Sequence, residues 1–315
     1  MHGIIYQSFK TFFMWIPYAV VGALLQAVSA AIKKKSLKKA GMNNVIGFIS
    51  FLIAGILFGV TYGLTMGTFW PAELSARFWE GMTANVALNI VGIWFMYRAL
   101  DSAEFNYLMP FMTLTSLTII LPPIFLLGEI PSVTSLLGII LVVVGALVMN
   151  YVSKKKVFSE AEAQQRKDNL KGALYFIATA ICFTFTPTTA KIAIQESSVL
   201  FTSFMAHILI SFGFLAMLLI FREGQRMKAM LGQEESRPFL YGLLLAGVVI
   251  AVENGSINLA LDIAPVAYVM ALKRLMPLFA FLIGYFYFKE RTHLLRKSIA
   301  TALMVAGTMV ITIFK

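Results

Sequence analysis

Apolar residues run through this chain in long blocks, and most of the charge gathers between them. A helix of about 20 apolar residues crosses the hydrocarbon core of a bilayer. Ten such blocks fall near 12–32, 44–64, 82–100, 105–127, 133–152, 170–194, 199–221, 239–261, 265–288 and 294–314. They predict an all-α integral membrane fold of ten transmembrane helices. The longest polar stretch, 153–169, separates a first repeat over 1–152 from a second over 170–315 and reads as a cytoplasmic linker. The blocks also resemble one another at a shift of 161 positions. Ala99-Leu100-Asp101 falls on Ala260-Leu261-Asp262, Tyr107 on Tyr268, Leu117 on Leu278, Phe125 on Phe286 and Glu129 on Glu290.

Five helices per half is an odd number, so the second half enters the membrane from the side opposite to the first. The expectation is a 5+5 inverted repeat with a pseudo-two-fold axis in the membrane plane. That frame lets one central site open alternately to two sides.

Composition agrees with membrane burial: 59% of residues are hydrophobic and 13% charged, with a mean hydropathy of +0.81. The net charge of +11 suggests nucleic acid, but its distribution argues otherwise. With the amino terminus outside, Lys33–Lys35, Lys38, Lys39, Lys154–Lys156, Arg166, Lys167, Arg222, Arg226, Lys228, Lys289 and Arg291 all fall in inner loops. The outer side holds only Lys10, Arg77, Lys191 and Lys315. A bias of this kind sets orientation, here with both termini outside the cytoplasmic membrane. The partner for the remaining basic surface is then the lipid bilayer and its anionic headgroups, and no nucleic acid is expected.

The first block reads as a retained helix rather than a signal peptide, because its apolar core is long and lysines follow it. The stretch 68–81 predicts a short interfacial helix anchored by Trp70 and Trp79, with Trp15 at the same outer level. Cys182 is the only cysteine, so no intrachain disulfide or cysteine metal cluster forms.

Small residues recur every fourth position at Gly55, Gly59, Gly63 and Gly67, and at Gly247, Ala251 and Gly255. They predict seams where helix backbones approach closely. Pro110, Pro122, Pro123, Pro187 and Pro277 predict kinks in the fourth, sixth and ninth helices.

The chemistry concentrates in the ninth helix, where Lys273 and Arg274 interrupt VAYVMALKRLMP. Both fall within about two turns of the helix middle. A cation there costs about 2.5–3.5 kcal/mol on insertion scales. A wet cavity or a carboxylate partner relieves that cost. Glu253 and Asn254 of the eighth helix, His207 of the seventh, and Asn85 and Asn89 of the third fall at a similar depth. One reading is an ion pair of Glu253 with Lys273 or Arg274 that staples two helices. The other is a substrate site in which Lys273 and Arg274 hold a carboxylate or phosphate, Arg as a fork and Lys as a point charge. Glu253 is then also a candidate carrier of a coupling proton, unless a counter-substrate does that work. Tyr107 and Tyr268 are repeat-related aromatics, either cavity gates or interface anchors. His207 reads as a ligand or as a satisfied polar residue between helices. The repeat mates of Lys273 and Arg274 are Met112 and Thr113, so the chemistry is asymmetric within a symmetric frame.

The run ALDIAPVAYVMALKRLMPLFAFLIGYFYFKE, followed by SIATALMVAGTMVI, resembles the second EamA-type repeat of the drug/metabolite transporter superfamily. YRALDSAEFNYLMPFMTLTSLTIILPPIFLLGE, with LLGIILVVVGALVM, is its first-half counterpart. The resemblance covers nearly the whole chain, and Glu129 and Glu290 carry its most specific element. It implies a central cavity and transport of a small metabolite, often export. The ALKR segment is also similar to that of the sugar-phosphate and nucleotide-sugar translocators, which points to Lys273 and Arg274 as anion contacts.

Together these features predict a secondary transporter of a small anionic or zwitterionic metabolite, an exporter or exchanger without cofactor or metal. The alternative is a flippase or translocator of a phosphate-bearing lipid headgroup or a sugar phosphate. An intramembrane enzyme is disfavoured, because no motif joins His207 and Glu253 into a catalytic pair. A scaffold is disfavoured because the buried charges would have no task.

Overall fold

The computed structural model describes residues 2–32, 43–71, 73–102, 118–150, 160–225, 236–286 and 294–313. Within them every regular element is helical: α1 (His2–Ile32), α2 (Asn43–Met66), α3 (Ala76–Ser102), α4 (Leu121–Leu127), α5 (Val133–Asn150), α6 (Glu160–Gln195), α7 (Val199–Ile220), α8 (Ser236–Ile263), α9 (Val266–Lys273), α10 (Met276–Phe286) and α11 (Leu294–Ile313). Among the described residues five spans are long and apolar enough to cross a membrane: Asn43–Met66, Leu170–Gln195, Val199–Ile220, Arg237–Ile263 and Val266–Ile283. In hydrocarbon only a helix or a closed barrel satisfies its own backbone, so blocks of this composition fold as helices.

The chain forms two compact units that cut across the sequence halves. The first holds Met1–Ile90 and Thr189–Ala264, and the second Val91–Thr188 and Pro265–Lys315.

In the first unit α2 packs antiparallel on α7. The space a Cβ would take at Gly47 is filled by the Phe214 ring, at Gly55 by Ile208 and at Gly59 by the Phe204 ring. Here the glycine seam is real, and it admits large side chains from the facing helix. Gly67 differs: it stands in open space at φ +68°, so it ends α2 in a left-handed turn instead of packing. Along the same unit α1 lies on α8, with Gly22 against Ile257. A cluster of Tyr62, Phe78, Met82, Ala193 and Phe201 closes the core.

In the second unit α5 packs antiparallel on α11 with still closer approach. A Cβ at Gly138 would stand 2.7 Å from the Gly307 carbonyl, and one at Gly307 would stand 2.6 Å from that of Gly138. Backbone meets backbone there, and neither neighbour can rotate away.

Several expectations need correction. The stretch 68–81 is not one interfacial helix. Residues 67–71 and 73–75 are non-helical and α3 begins at Ala76, because Gly67 turns the chain and Pro71 lacks a backbone donor. Trp70 and Trp79 are exposed as anchors require, but Trp15 is wholly buried. The linker 153–169 is part helix, since α6 starts at Glu160, as befits the good helix formers of EAEAQQRK. Pro122 and Pro123 stand in the first turn of α4, where a missing N–H costs nothing; most of the block before them lies outside the described residues. Pro187 lies inside α6 without ending it, while Pro110 falls outside the described residues.

Candidate functional site

The ninth apolar block is a broken helix. α9 ends at Lys273 and α10 begins at Met276. The N–H of Arg274 bonds the Ala271 carbonyl at 3.1 Å and that of Leu275 the Leu272 carbonyl at 2.9 Å. Both bonds span three residues, so the last turn is tightened. The cause is Pro277, which has no N–H for the Lys273 carbonyl and whose ring collides with that carbonyl in a continuous helix. Lys273 therefore stands in the last turn of α9, where the negative end of the helix dipole favours a cation. Arg274 follows as the C-cap. Both side chains are half-buried. Two cations thus stand side by side at a tightened turn inside an apolar span. Two adjacent cations suit an anionic group.

Tyr268, on the same short helix, is buried. Its hydroxyl accepts from the Ser132 N–H at 3.3 Å, and Glu129 Oε2 accepts from the Val266 N–H at 2.8 Å. Tyr107, the repeat mate of Tyr268, lies outside the described residues, as does Glu290.

The other candidates belong to the first unit. His207 is buried on α7. Its Nδ1 lies 2.7 Å from the Ser203 carbonyl, which only a donor can satisfy. Its Nε2 lies 3.0 Å from Asn254 Nδ2 and is then the acceptor, which describes a neutral ring with both nitrogens engaged. Asn258 Nδ2 donates to Ser203 Oγ at 2.8 Å, extending the network one turn. The rings of Phe51 and Phe58 tilt against the imidazole at 5.7 Å and 5.1 Å. Glu253 is buried on α8 beside Asn254. Asn85 and Asn89 meet each other along α3: Asn89 Nδ2 donates to the Asn85 carbonyl at 2.9 Å. The structure thus joins His207 to Asn254 and Asn85 to Asn89. Lys273, Arg274 and Tyr268 belong to the second unit.

Lys191 was missed by the sequence. Assigned there to the outer surface, it is buried within α6, and its Nζ donates to the Ala264 carbonyl at 2.7 Å. It closes the carboxyl end of α8, again a cation at the negative end of a helix dipole. The available signal was position: a lysine within an apolar block, after TPTTA and three residues before its end. Among the described residues no three His, Cys, Asp or Glu side chains gather closely enough to hold a metal ion.

Comparison with known proteins fits this architecture. A solved crystal structure is similar over 95% of this chain and 97% of its own length, with a TM-score of 0.74 and 15% identity. At that identity the likeness concerns the fold alone. No curated protein matches the sequence. Residues 170–313 match the model of the EamA-like transporter family. That family belongs to the drug/metabolite transporter superfamily, and the match falls in the second half of this chain.

Proposed function

We propose that the chain is a secondary active transporter. It moves a small anionic or zwitterionic metabolite across the cytoplasmic membrane by alternating access, as an exporter or exchanger rather than an enzyme. The observation that carries this reading is the helix break at Lys273–Arg274 within the apolar span Val266–Ile283. Two cations inside a span are costly unless they do work there. A carbonyl at the break can accept only from a donor, such as the ammonium of a zwitterion, while the two cations take its carboxylate.

Helix pairing supports the inverted 5+5 repeat over 1–152 and 170–315. At the 161-residue shift α2 corresponds to α7 and α5 to α11. Each of these pairs packs antiparallel within its own unit. A two-fold axis in the membrane plane brings mates together in that way, whereas a parallel repeat about the membrane normal would not. Lys273 and Arg274 grip the anionic group, and a proton or counter-substrate completes the cycle.

The test is flux. Purified protein in liposomes is offered radiolabelled glutamate, citrate, inorganic phosphate and glucose 6-phosphate in turn. At least one anion is expected to move in the wild type and to stop in Lys273→Ala and Arg274→Ala that elute normally from a sizing column. Wild-type flux in both variants would refute the site. Lipid movement without solute flux would favour the headgroup flippase instead.

A further inference from the structure

α9 is an eight-residue rod with both ends defined, and its start is held by a distant loop. A helix leaves its first N–H groups without intrahelical partners. At α9 the N-cap is Pro265, whose side chain makes no capping bond. The carboxylate of Glu129 supplies that cap from 137 residues away, at 2.8 Å from Val266 N. A carboxylate in this position also meets the positive end of the helix dipole. One turn further, the Tyr268 hydroxyl takes the Ser132 N–H.

The loop that makes both bonds is itself well anchored. Gly128 turns left-handed at φ +70°, and the Glu129 N–H closes on the Pro123 carbonyl at 3.1 Å. Ser132 Oγ accepts the Ser135 N–H at 3.2 Å and so caps α5. The frame for α9 is therefore the end of α4 and the start of α5. The rod's other end carries Lys273, about 10 Å along the axis from Val266 at 1.5 Å per residue. Beyond it the tightened turn at Arg274–Leu275 uncouples α9 from α10.

We infer that Glu129, assisted by Tyr268, is a positioning residue: its clasp on the start of α9 sets where the Lys273 and Arg274 cations stand, without touching the substrate. The positioning role rests on the anion-site reading above; the clasp does not. Glu129→Ala, Glu129→Gln and Tyr268→Phe are made in the full chain. Hydrogen exchange is read at the Val266 N–H, the donor to Glu129, and at the Ser132 N–H, the donor to Tyr268, and flux on whichever anion moves in the panel.

Glu129→Ala is expected to exchange about tenfold faster at the first turn of α9, since a bond to a charged acceptor is lost. Its half-saturation concentration is expected to rise roughly fivefold, while the maximal rate changes less than about twofold, because capture is misaligned and turnover is not. Glu129→Gln keeps an oxygen acceptor and restores both readings to within about twofold of wild type. Tyr268→Phe is expected to give a smaller change in the same direction, and it decides the matter if Glu129→Ala does not fold. Unchanged exchange in Glu129→Ala, or in Tyr268→Phe where that variant decides, overturns the clasp. Faster exchange with an unchanged half-saturation concentration overturns the positioning role. Wild-type flux in Lys273→Ala and Arg274→Ala instead removes the anion-site reading and leaves the exchange result standing.

Discussion

Two polar regions embedded in apolar helices behave in opposite ways. On α7 and α8 the side chains of His207, Asn254, Asn258 and Ser203 bond to one another or to a neighbouring carbonyl, and both helices run on unbroken. At the end of α9 the chain carries formal charge, and the helix itself is interrupted. Neutral amides and an imidazole can close a network within a helix pair, because each offers both a donor and an acceptor. Lys and Arg donate only, so they need acceptors from the backbone, a carboxylate or a ligand. We read the neutral network as stitching and propose the charged, tightened turn as the site.

The largest expected effect tests the charged side of this contrast. Arg274→Ala is expected to lower anion flux about a hundredfold, the loss of a bidentate charge-assisted contact. Arg274→Lys, which keeps the charge but not the fork, should recover only part of it in the same liposome assay. If both variants transport normally, the distinction between site and stitching fails.

A packing lesion in the same unit supplies the control. Gly307→Ala drives a methyl group into the Gly138 carbonyl, a backbone atom that cannot rotate aside. Overpacking of this kind costs about 2 kcal/mol. The thermal midpoint in detergent should fall by about 5 °C. Half-saturation for the transported anion should stay unchanged below that midpoint. A change in affinity equal to that of Arg274→Ala would mean that any loosening of the unit mimics loss of the cation.

Pro277→Ala asks whether the break itself matters. It returns an N–H that can reach the Lys273 carbonyl and removes the clash at the turn. Flux is expected to drop roughly tenfold while the midpoint rises or holds, since a healed helix is stabler but changes where Lys273 and Arg274 stand. Unimpaired flux in a variant shown by hydrogen exchange to have a continuous helix would assign the function to the charges alone.

The smallest effect belongs to the neutral network. Asn254→Ala leaves His207 Nε2 without its donor and should cost about 0.6–1 kcal/mol, the usual worth of one interhelical hydrogen bond in a membrane protein. A melt shifted by a degree or two, with flux at saturating substrate near wild type, is the expected result. A hundredfold loss of flux would move His207 and Asn254 from stitching to substrate contact.

Much of the architecture was legible before any coordinates. Blocks of about 20 apolar residues determine that helices form, because unpaired backbone groups are too costly in hydrocarbon. The glycines spaced by four on α2 foretold a seam, and Lys273 and Arg274 stood out because charge is rare in such blocks. Local chemistry of this sort is written in consecutive residues.

Other features depended on partners distant in the chain. Lys191 looked like an outer-surface cation, and its role follows from Ala264, 73 residues away. Glu129 was a repeat signature without a task until Val266 came within 2.8 Å of it. Trp15 was expected at the outer interface level, and its burial corrects that reading. Composition and spacing by themselves determined that the chain is helical and which cations are out of keeping with an apolar block. Only the tertiary structure decided which polar groups find each other, because a hydrogen bond is settled by a few tenths of an ångström between residues far apart in sequence.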